Sequence, residues 1–178
     1  VAPGDFVMIN FGLNDFYNIS ETGKGTTIEQ YKDNLTLFCT TIMEKGATPI
    51  LISTIPECKE NYKSLQARAV AMSEVAASVG VTFLDLNTTL NAEWIFDSEG
   101  NYSADKTLET FNYYYLSEPA FKRLEQEWGK TVTDAKWEYI QTTPDRTHPN
   151  EDGAECIAAT IAKLLSETNN PLTKYLVD

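Results

Sequence analysis

The sequence predicts an α/β fold in which a parallel sheet has helices on both faces. Three apolar runs, at residues 6–11, 49–55 and 81–86, have the length and continuity of strands that are buried on both sides. Two segments with a helical apolar repeat separate these runs. Strands that alternate with helices through short connections are typical of right-handed crossovers in a parallel sheet.

The first strand is predicted at residues 6–11, and a loop rich in Ser, Thr and Gly follows it. Thr26 followed by Glu29 predicts a capping box at the start of the first helix. That helix is predicted to end at Gly46. Its apolar stripe comprises Ile28, Tyr31, Leu35, Phe38 and Ile42.

The second strand is predicted at residues 49–55 and ends before Pro56. The second helix is predicted at residues 62–79, and Gly80 ends it. The third strand, residues 81–86, follows at once.

Beyond the third strand the regular pattern lapses until a last helix, which is predicted at residues 150–167. The interval contains an irregular, aromatic-rich insertion at about residues 91–142. Its aromatic side chains could form a platform for sugar rings or the core of a small subdomain, and the core role suits most of them. They include Trp94, Phe96, Tyr113, Tyr114, Tyr115, Trp128 and Trp137.

Length and charge limit the possible partners. A chain of 178 residues that is 42% hydrophobic can bury one core, so we expect a single domain or most of one. The net charge of −12 argues against nucleic acid or an anionic membrane as a partner. No apolar run approaches the ~20 residues of a membrane span, and no basic-then-apolar segment opens the chain. A start at Val1 suits a mature, trimmed or truncated product.

The cysteines predict neither a disulfide scaffold nor a zinc site. The chain has three cysteines, which are too few for a disulfide scaffold: Cys39, Cys58 and Cys156. Their spacing does not match that of zinc ligands. We expect buried or half-buried free thiols, although an odd count also allows a bond to a missing segment. Because the chain has one histidine, we expect no metal centre.

Two short motifs carry candidate chemistry. Gly12-Leu13-Asn14-Asp15 follows the first strand, at the sheet edge where open α/β proteins bind ligands. The single histidine, His148, stands three residues after Asp145 and shortly before the last helix. His148 could be a general base that Asp145 orients, or a surface residue that bonds locally to Asp145. Asn14 could donate its side-chain amide to an oxyanion that develops in a transition state, or it could be a turn residue that Gly12 and Asp15 support.

Order and separation make the two motifs specific as a pair. The strand followed by Gly12-Leu13-Asn14-Asp15 and the later Asp145-Arg146-Thr147-His148 resemble the third and fifth sequence blocks of SGNH (GDSL-type) hydrolases. The flanking residues, Pro-Gly-Asp before the strand and His-Pro-Asn-Glu-Asp-Gly-Ala at the end, look most like the rhamnogalacturonan acetylesterase-like branch. The resemblance implies a flavodoxin-like three-layer α/β/α fold with a parallel sheet.

The resemblance also implies a role for each motif residue. His148 would be the general base, Asp145 would orient it, and the Asn14 amide would donate a hydrogen bond to the oxyanion of the transition state. No metal or organic cofactor is required. The other residues of the first motif, Gly12, Leu13 and Asp15, are candidate substrate-binding residues. Asp15 would also support the loop.

The nucleophile of this family is missing from the chain. No Gly-Asp-Ser occurs, and Gly4-Asp5 is followed by Phe6 at the entrance of a strand rather than at its exit. The block whose Gly supplies a backbone donor is also absent, and Leu13 stands where the acetylesterase branch often carries His. We therefore expect residues 1–178 to be the C-terminal two-thirds or so of one domain that lacks its first strands.

The expected function is removal of acetyl groups from a plant cell-wall polysaccharide by a Ser-His-Asp mechanism. The Ser would come from an upstream segment, as a separate chain or a cleaved piece, that pairs with residues 6–11, so this chain alone would be inactive. If the chain proved active alone, Ser53 at the end of the second strand would be the candidate nucleophile. The resemblance and the substrate imply an extracellular protein.

Two other functions stay open. The chain could be a non-catalytic fragment or a carbohydrate-binding or assembly module on the same fold, which the absence of an upstream Gly-Asp-Ser segment would favour. It could also be a lipid or thioester hydrolase of the same superfamily, which a long apolar groove would favour.

Overall fold

The three apolar runs form a parallel sheet in the computed structural model. The structure describes residues 1–15, 25–56, 62–94, 148–149 and 151–176. The strands are β1 (Phe6–Ile9), β2 (Thr48–Ile52) and β3 (Thr82–Leu84), in the order β1-β2-β3. This is the order of the last three strands in a 2-1-3-4-5 flavodoxin-like sheet. The predicted α/β class is confirmed.

Four helices and a short 3₁₀ helix accompany the sheet in the described part of the chain. They are α1 (Ile28–Glu44), α2 (Tyr62–Val79), α3 (Leu86–Trp94), α4 (Glu151–Ser166) and the 3₁₀ helix Pro171–Tyr175. The predicted helices at 62–79 and 150–167 are confirmed within one residue at each end.

The start of α1 differs from the predicted capping box by one residue. The cap is Thr27, whose hydroxyl accepts a hydrogen bond from the Gln30 amide at 3.1 Å. The Gln30 side chain accepts one in return from the Thr27 amide at 3.0 Å. The Thr26 hydroxyl is used elsewhere, because it donates to the Asp15 carboxylate.

The sheet buries both faces, since alternate side chains of each strand point to opposite sides. On one face, Ile9 and Leu51 pack with side chains of α1 and α2. On the other, Ile50, Ile52 and Leu84 pack with side chains of α3 and α4. Each fully buried Leu or Ile stabilises the fold by about 1.5–3 kcal/mol. The arrangement is therefore three layers, α/β/α, with the sheet in the middle.

Strand β1 lies at an edge of the described sheet, where β2 is its single partner. Met8 and Phe11 are 49% and 56% exposed along this edge. Phe38, predicted on the buried stripe of α1, is 43% exposed, and its ring centroid lies 5.8 Å from that of Phe11. That prediction was wrong for Phe38, since the face of α1 that packs on the sheet buries Cys39 together with Tyr31 and Leu35.

Several other expectations concern residues beyond the described ranges. The predicted insertion at 91–142 lies outside them, apart from 91–94, which form the last turn of α3. Cys39 and Cys156 are free thiols, buried and half-buried respectively, and Cys58 is not among the described residues. Burial raises the pKa of the Cys39 thiol. Within the described part, no helix has the length and hydropathy of a membrane span.

Candidate active site

Three connections leave the sheet at the same edge, because the strands are parallel. They are the segment after β1, Ser53 and Thr54 after β2, and Asp85 after β3. Asn10 joins the first two, since its side-chain amide donates to the carbonyls of Ile52 at 3.0 Å and Ser53 at 2.9 Å. The start of the first motif is thus fixed against the end of the neighbouring strand.

Ser53 is a structural residue in this arrangement. It is 1% exposed. Its hydroxyl donates to the Asp85 carboxylate at 3.2 Å and accepts from the Asn87 amide at 2.8 Å. The same carboxylate oxygen accepts from the Thr88 amide at 3.1 Å, which caps α3. A hydroxyl that is buried and engaged in this way is not placed to attack an ester, so Ser53 does not suit the role of nucleophile.

Gly12 occupies a position that no larger residue fits. Its φ of +122° lies where L side chains are strained, and the residue is buried. A Cβ at this position would lie 2.8 Å from the Tyr31 hydroxyl oxygen. That hydroxyl donates to the Phe11 carbonyl at 2.8 Å, so it cannot move away without losing the bond. The glycine therefore lets the loop pass directly over Tyr31.

Asp15 anchors the other end of the loop. Its amide donates to the Gly12 carbonyl at 3.3 Å, and its own carbonyl accepts from the Thr26 amide at 3.1 Å. Its carboxylate accepts from the Thr26 hydroxyl at 2.9 Å. These contacts fit the predicted support of the loop. Contact of Gly12, Leu13 or Asp15 with substrate stays a prediction.

Asn14 stands between these two anchors and is exposed. Its side-chain amide makes no hydrogen bond to the residues that the structure describes. Its role as an oxyanion donor stays a prediction. The neighbouring Leu13 is half-buried.

The direction of α4 indicates where His148 lies. Asn170, just beyond the C-terminal end of α4, donates from its side chain to the Thr82 hydroxyl at 2.8 Å. Thr82 is the first residue of β3, so α4 ends at the amino edge of the sheet and runs antiparallel to β3. Its N-terminal end, with the exposed His148 three residues ahead of it, is directed toward the carboxyl edge. Asp145 lies outside the described residues, so its hydrogen bond to His148 stays a prediction.

Arg68 is not among the predicted site residues, and it is 5% exposed. It donates through Nη2 to the carbonyls of Asp15 and Thr26. Burial lowers the pKa of its guanidinium, while the charge of Asp15 raises it. A charged residue on an amphipathic helix is usually solvent-exposed. The available signal was its position, since Arg68 falls on the same stripe of α2 as Leu65 and Met72.

Within the described ranges, no group of three or more His, Cys, Asp or Glu side chains is placed to hold a metal ion.

Comparison with known proteins gives a consistent result. The family model of the GDSL-like lipase/acylhydrolases matches residues 1–161. A rhamnogalacturonan acetylesterase, RhgT of Bacillus subtilis (strain 168), is 25% identical over an alignment of 186 positions that covers 99% of this chain and 67% of that protein.

Solved structures share the fold. The Axe2 acetylxylan esterase of Geobacillus stearothermophilus superposes with a TM-score of 0.54 at 15% identity, over 92% of this chain and 60% of its own. A structural-genomics protein of Bacillus subtilis superposes with a TM-score of 0.58 at 20% identity, over 93% of this chain and 37% of its own. The chain thus spans about two thirds or less of the length of these relatives.

Proposed function

Because the chain belongs to the GDSL-like lipase/acylhydrolase family, we propose that it is the larger part of a carbohydrate esterase that removes acetyl groups from a plant cell-wall polysaccharide. The observation that carries the proposal is the exposed Asn14 on a rigidly anchored loop, at the sheet edge toward which the His148 end of α4 is directed. An acyl-transfer site needs both groups at one edge.

The proposed reaction is hydrolysis through an acyl-enzyme. A Ser hydroxyl attacks the acetyl carbonyl while His148 takes its proton, and Asp145 holds the imidazole in the required tautomer. The Asn14 amide donates a hydrogen bond to the oxyanion that forms. The protonated His148 then gives its proton to the departing sugar oxygen, which leaves as a hydroxyl. A water molecule that loses its proton to His148 attacks the acetyl-enzyme, and acetate and the free Ser are released.

The nucleophilic Ser is proposed to come from an upstream segment of the same domain. Ser53 is buried and engaged, which leaves it unsuited to the role. RhgT extends beyond the part that matches this chain, which covers 67% of it. The open edge of β1, with Met8 and Phe11 exposed along it, is a surface on which a further strand would pair and bury apolar area.

The proposed substrate class rests on the names of two relatives, a rhamnogalacturonan acetylesterase and an acetylxylan esterase. Both names describe esterases of acetylated plant polysaccharides. An extracellular location is proposed with this substrate, since such polymers do not enter cells.

The test is acetate release by the full-length gene product from acetylated rhamnogalacturonan, acetylated xylan and a long-chain fatty acyl ester. We expect release from at least one polysaccharide and little from the fatty ester. His148→Ala should abolish it, while Lys163→Ala, an exposed change on α4, should leave it unchanged. Binding of the polysaccharides without acetate release would favour the non-catalytic module, and preference for the fatty ester would favour a lipase.

A further inference from the structure

We infer that Arg68 and Tyr31 are positioning residues that hold Asn14 where the oxyanion forms. The inference rests on the proposed function, because it takes Asn14 as the oxyanion donor. It assigns a role to two buried side chains that bond to the backbone of the loop.

The pair holds the loop on both sides of Asn14. Tyr31 donates its hydroxyl to the carbonyl of Phe11, three residues before Asn14, at 2.8 Å. Arg68 donates to the carbonyl of Asp15, directly after Asn14, and to that of Thr26 at 2.9 Å. The backbone that carries Asn14 is therefore fixed at both ends by side chains from α1 and α2.

The two side chains also hold each other. The Arg68 guanidinium lies 5.4 Å from the centroid of the Tyr31 ring, within the range of a cation–π contact. Arginine suits this position better than lysine, because its planar group can stack on a ring and donate from its edge at the same time. Rotation of either side chain would release one end of the loop. It would also remove the contact that holds the other side chain in place.

Stability alone does not account for Arg68. Its Nε is buried without a hydrogen-bond partner in the described part of the chain. Burial of a charged guanidinium carries a desolvation cost, so its burial is weak evidence of a stabilising role. What an apolar side chain cannot replace is the pair of bonds to the Asp15 and Thr26 carbonyls.

The test compares Arg68→Met and Tyr31→Phe in the full-length gene product. Each removes donors to the loop and keeps most of the packed volume. Displacement of a reacting group by about 1 Å can lower the rate about 10²-fold. We expect Arg68→Met to lower kcat by about that factor and Tyr31→Phe by less, with KM almost unchanged, because the oxyanion contact is made in the transition state.

Met72→Ala is the matched control, since Met72 is fully buried one turn from Arg68 on α2. It should lower Tm more than Arg68→Met does and leave kcat intact. The second readout is the set of backbone amide resonances of residues 12–15, which should shift in Arg68→Met and Tyr31→Phe but not in Met72→Ala.

Unchanged kcat and unchanged resonances of residues 12–15 in Arg68→Met would overturn the inference. Loss of kcat in Met72→Ala equal to that in Arg68→Met would also overturn it, because the effect would then be one of general stability. An inactive wild-type protein would instead contradict the proposed function, and the amide resonances would still decide whether Arg68 and Tyr31 position the loop.

Discussion

The Ser53 hydroxyl donates a hydrogen bond of 3.2 Å to the Asp85 carboxylate. This bond joins the ends of β2 and β3. The backbone amide of Asn87, in the first turn of α3, donates to the same hydroxyl at 2.8 Å. The Asn87 side chain adds a bond of 3.1 Å to the Thr54 carbonyl. The ends of β2 and β3 are thus held together at the carboxyl edge by polar groups that already bond to one another.

Ser53→Ala should lower the free energy of unfolding by about 1–3 kcal/mol, because it leaves the buried Asn87 amide without its acceptor. It should leave kcat unchanged. Ser78→Ala, an exposed change on α2, is the control and should have little effect on either quantity. Denaturant unfolding and acetate release measure the two effects. Loss of activity at unchanged stability would reinstate Ser53 as a nucleophile.

Asn14→Ala should lower kcat by about 10²- to 10³-fold with little change in KM, since the amide contact forms in the transition state. Steady-state kinetics of the full-length gene product measure this split. Asn34→Ala, at an exposed position of α1, should behave as wild type. An effect confined to KM would identify Asn14 as a sugar contact in the bound substrate.

Gly12→Ala should destabilise the protein more than Gly80→Ala. Both glycines have positive φ, +122° and +73°, but a Cβ at Gly80 would meet nothing within 4 Å. Gly80→Ala should therefore lower the free energy of unfolding by about 1–2 kcal/mol, through backbone strain alone. Gly12→Ala adds the collision with the Tyr31 hydroxyl at 2.8 Å.

The double variant Gly12→Ala/Tyr31→Phe separates the two contributions, because it removes the oxygen that the new methyl group meets. It should be more stable than the sum of the single changes implies, in a double-mutant cycle of unfolding free energies. Additive effects would mean that the loop does not pass over Tyr31 as described.

Stability at alkaline pH should depend on Tyr31. Burial raises the pKa of its hydroxyl, and the negative charge of Asp15 raises it further. Above the unfolded pKa of about 10, the unfolded chain releases this proton while the folded protein retains it. The free energy of unfolding then falls with pH, by up to about 1.4 kcal/mol per unit from this group.

Tyr31→Phe should therefore flatten the loss of stability above pH 10, and Tyr175→Phe, at an exposed position, should leave it as in wild type. Unfolding curves at several alkaline pH values measure the slopes. Equal slopes in Tyr31→Phe and wild type would contradict the burial of the hydroxyl.

Most of the fold could be predicted from the sequence because apolar runs and helical stripes are strong local signals. The ends of the strands could not. Residues 81–86 are apolar enough for a strand, but Asp85 caps a helix by accepting from the Thr88 amide, so β3 ends at Leu84 and α3 begins at Leu86. The helix cap is a similar case, because Thr26 stands three residues before Glu29 and Thr27 three residues before Gln30. The Thr26 hydroxyl donates to Asp15, and Thr27 is the residue that caps α1.

The position of Asn14 in the fold could be predicted for the same reason. Asn14 follows a strong strand signal and a glycine, so its place at the carboxyl edge could be inferred from order alone. The support behind it depends on contacts between residues far apart in the chain, such as Arg68 with Asp15. A local pattern does not contain such contacts.

We propose above all that an upstream segment completes the domain and carries the nucleophilic Ser. The direct test is acetate release from an acetylated polysaccharide by the 178-residue chain, first alone and then after addition of the segment encoded immediately upstream. We predict no release by the chain alone and release after addition, which a Ser→Ala change in the added segment abolishes. Acetate release by the 178-residue chain alone, unaffected by the segment, would contradict the account.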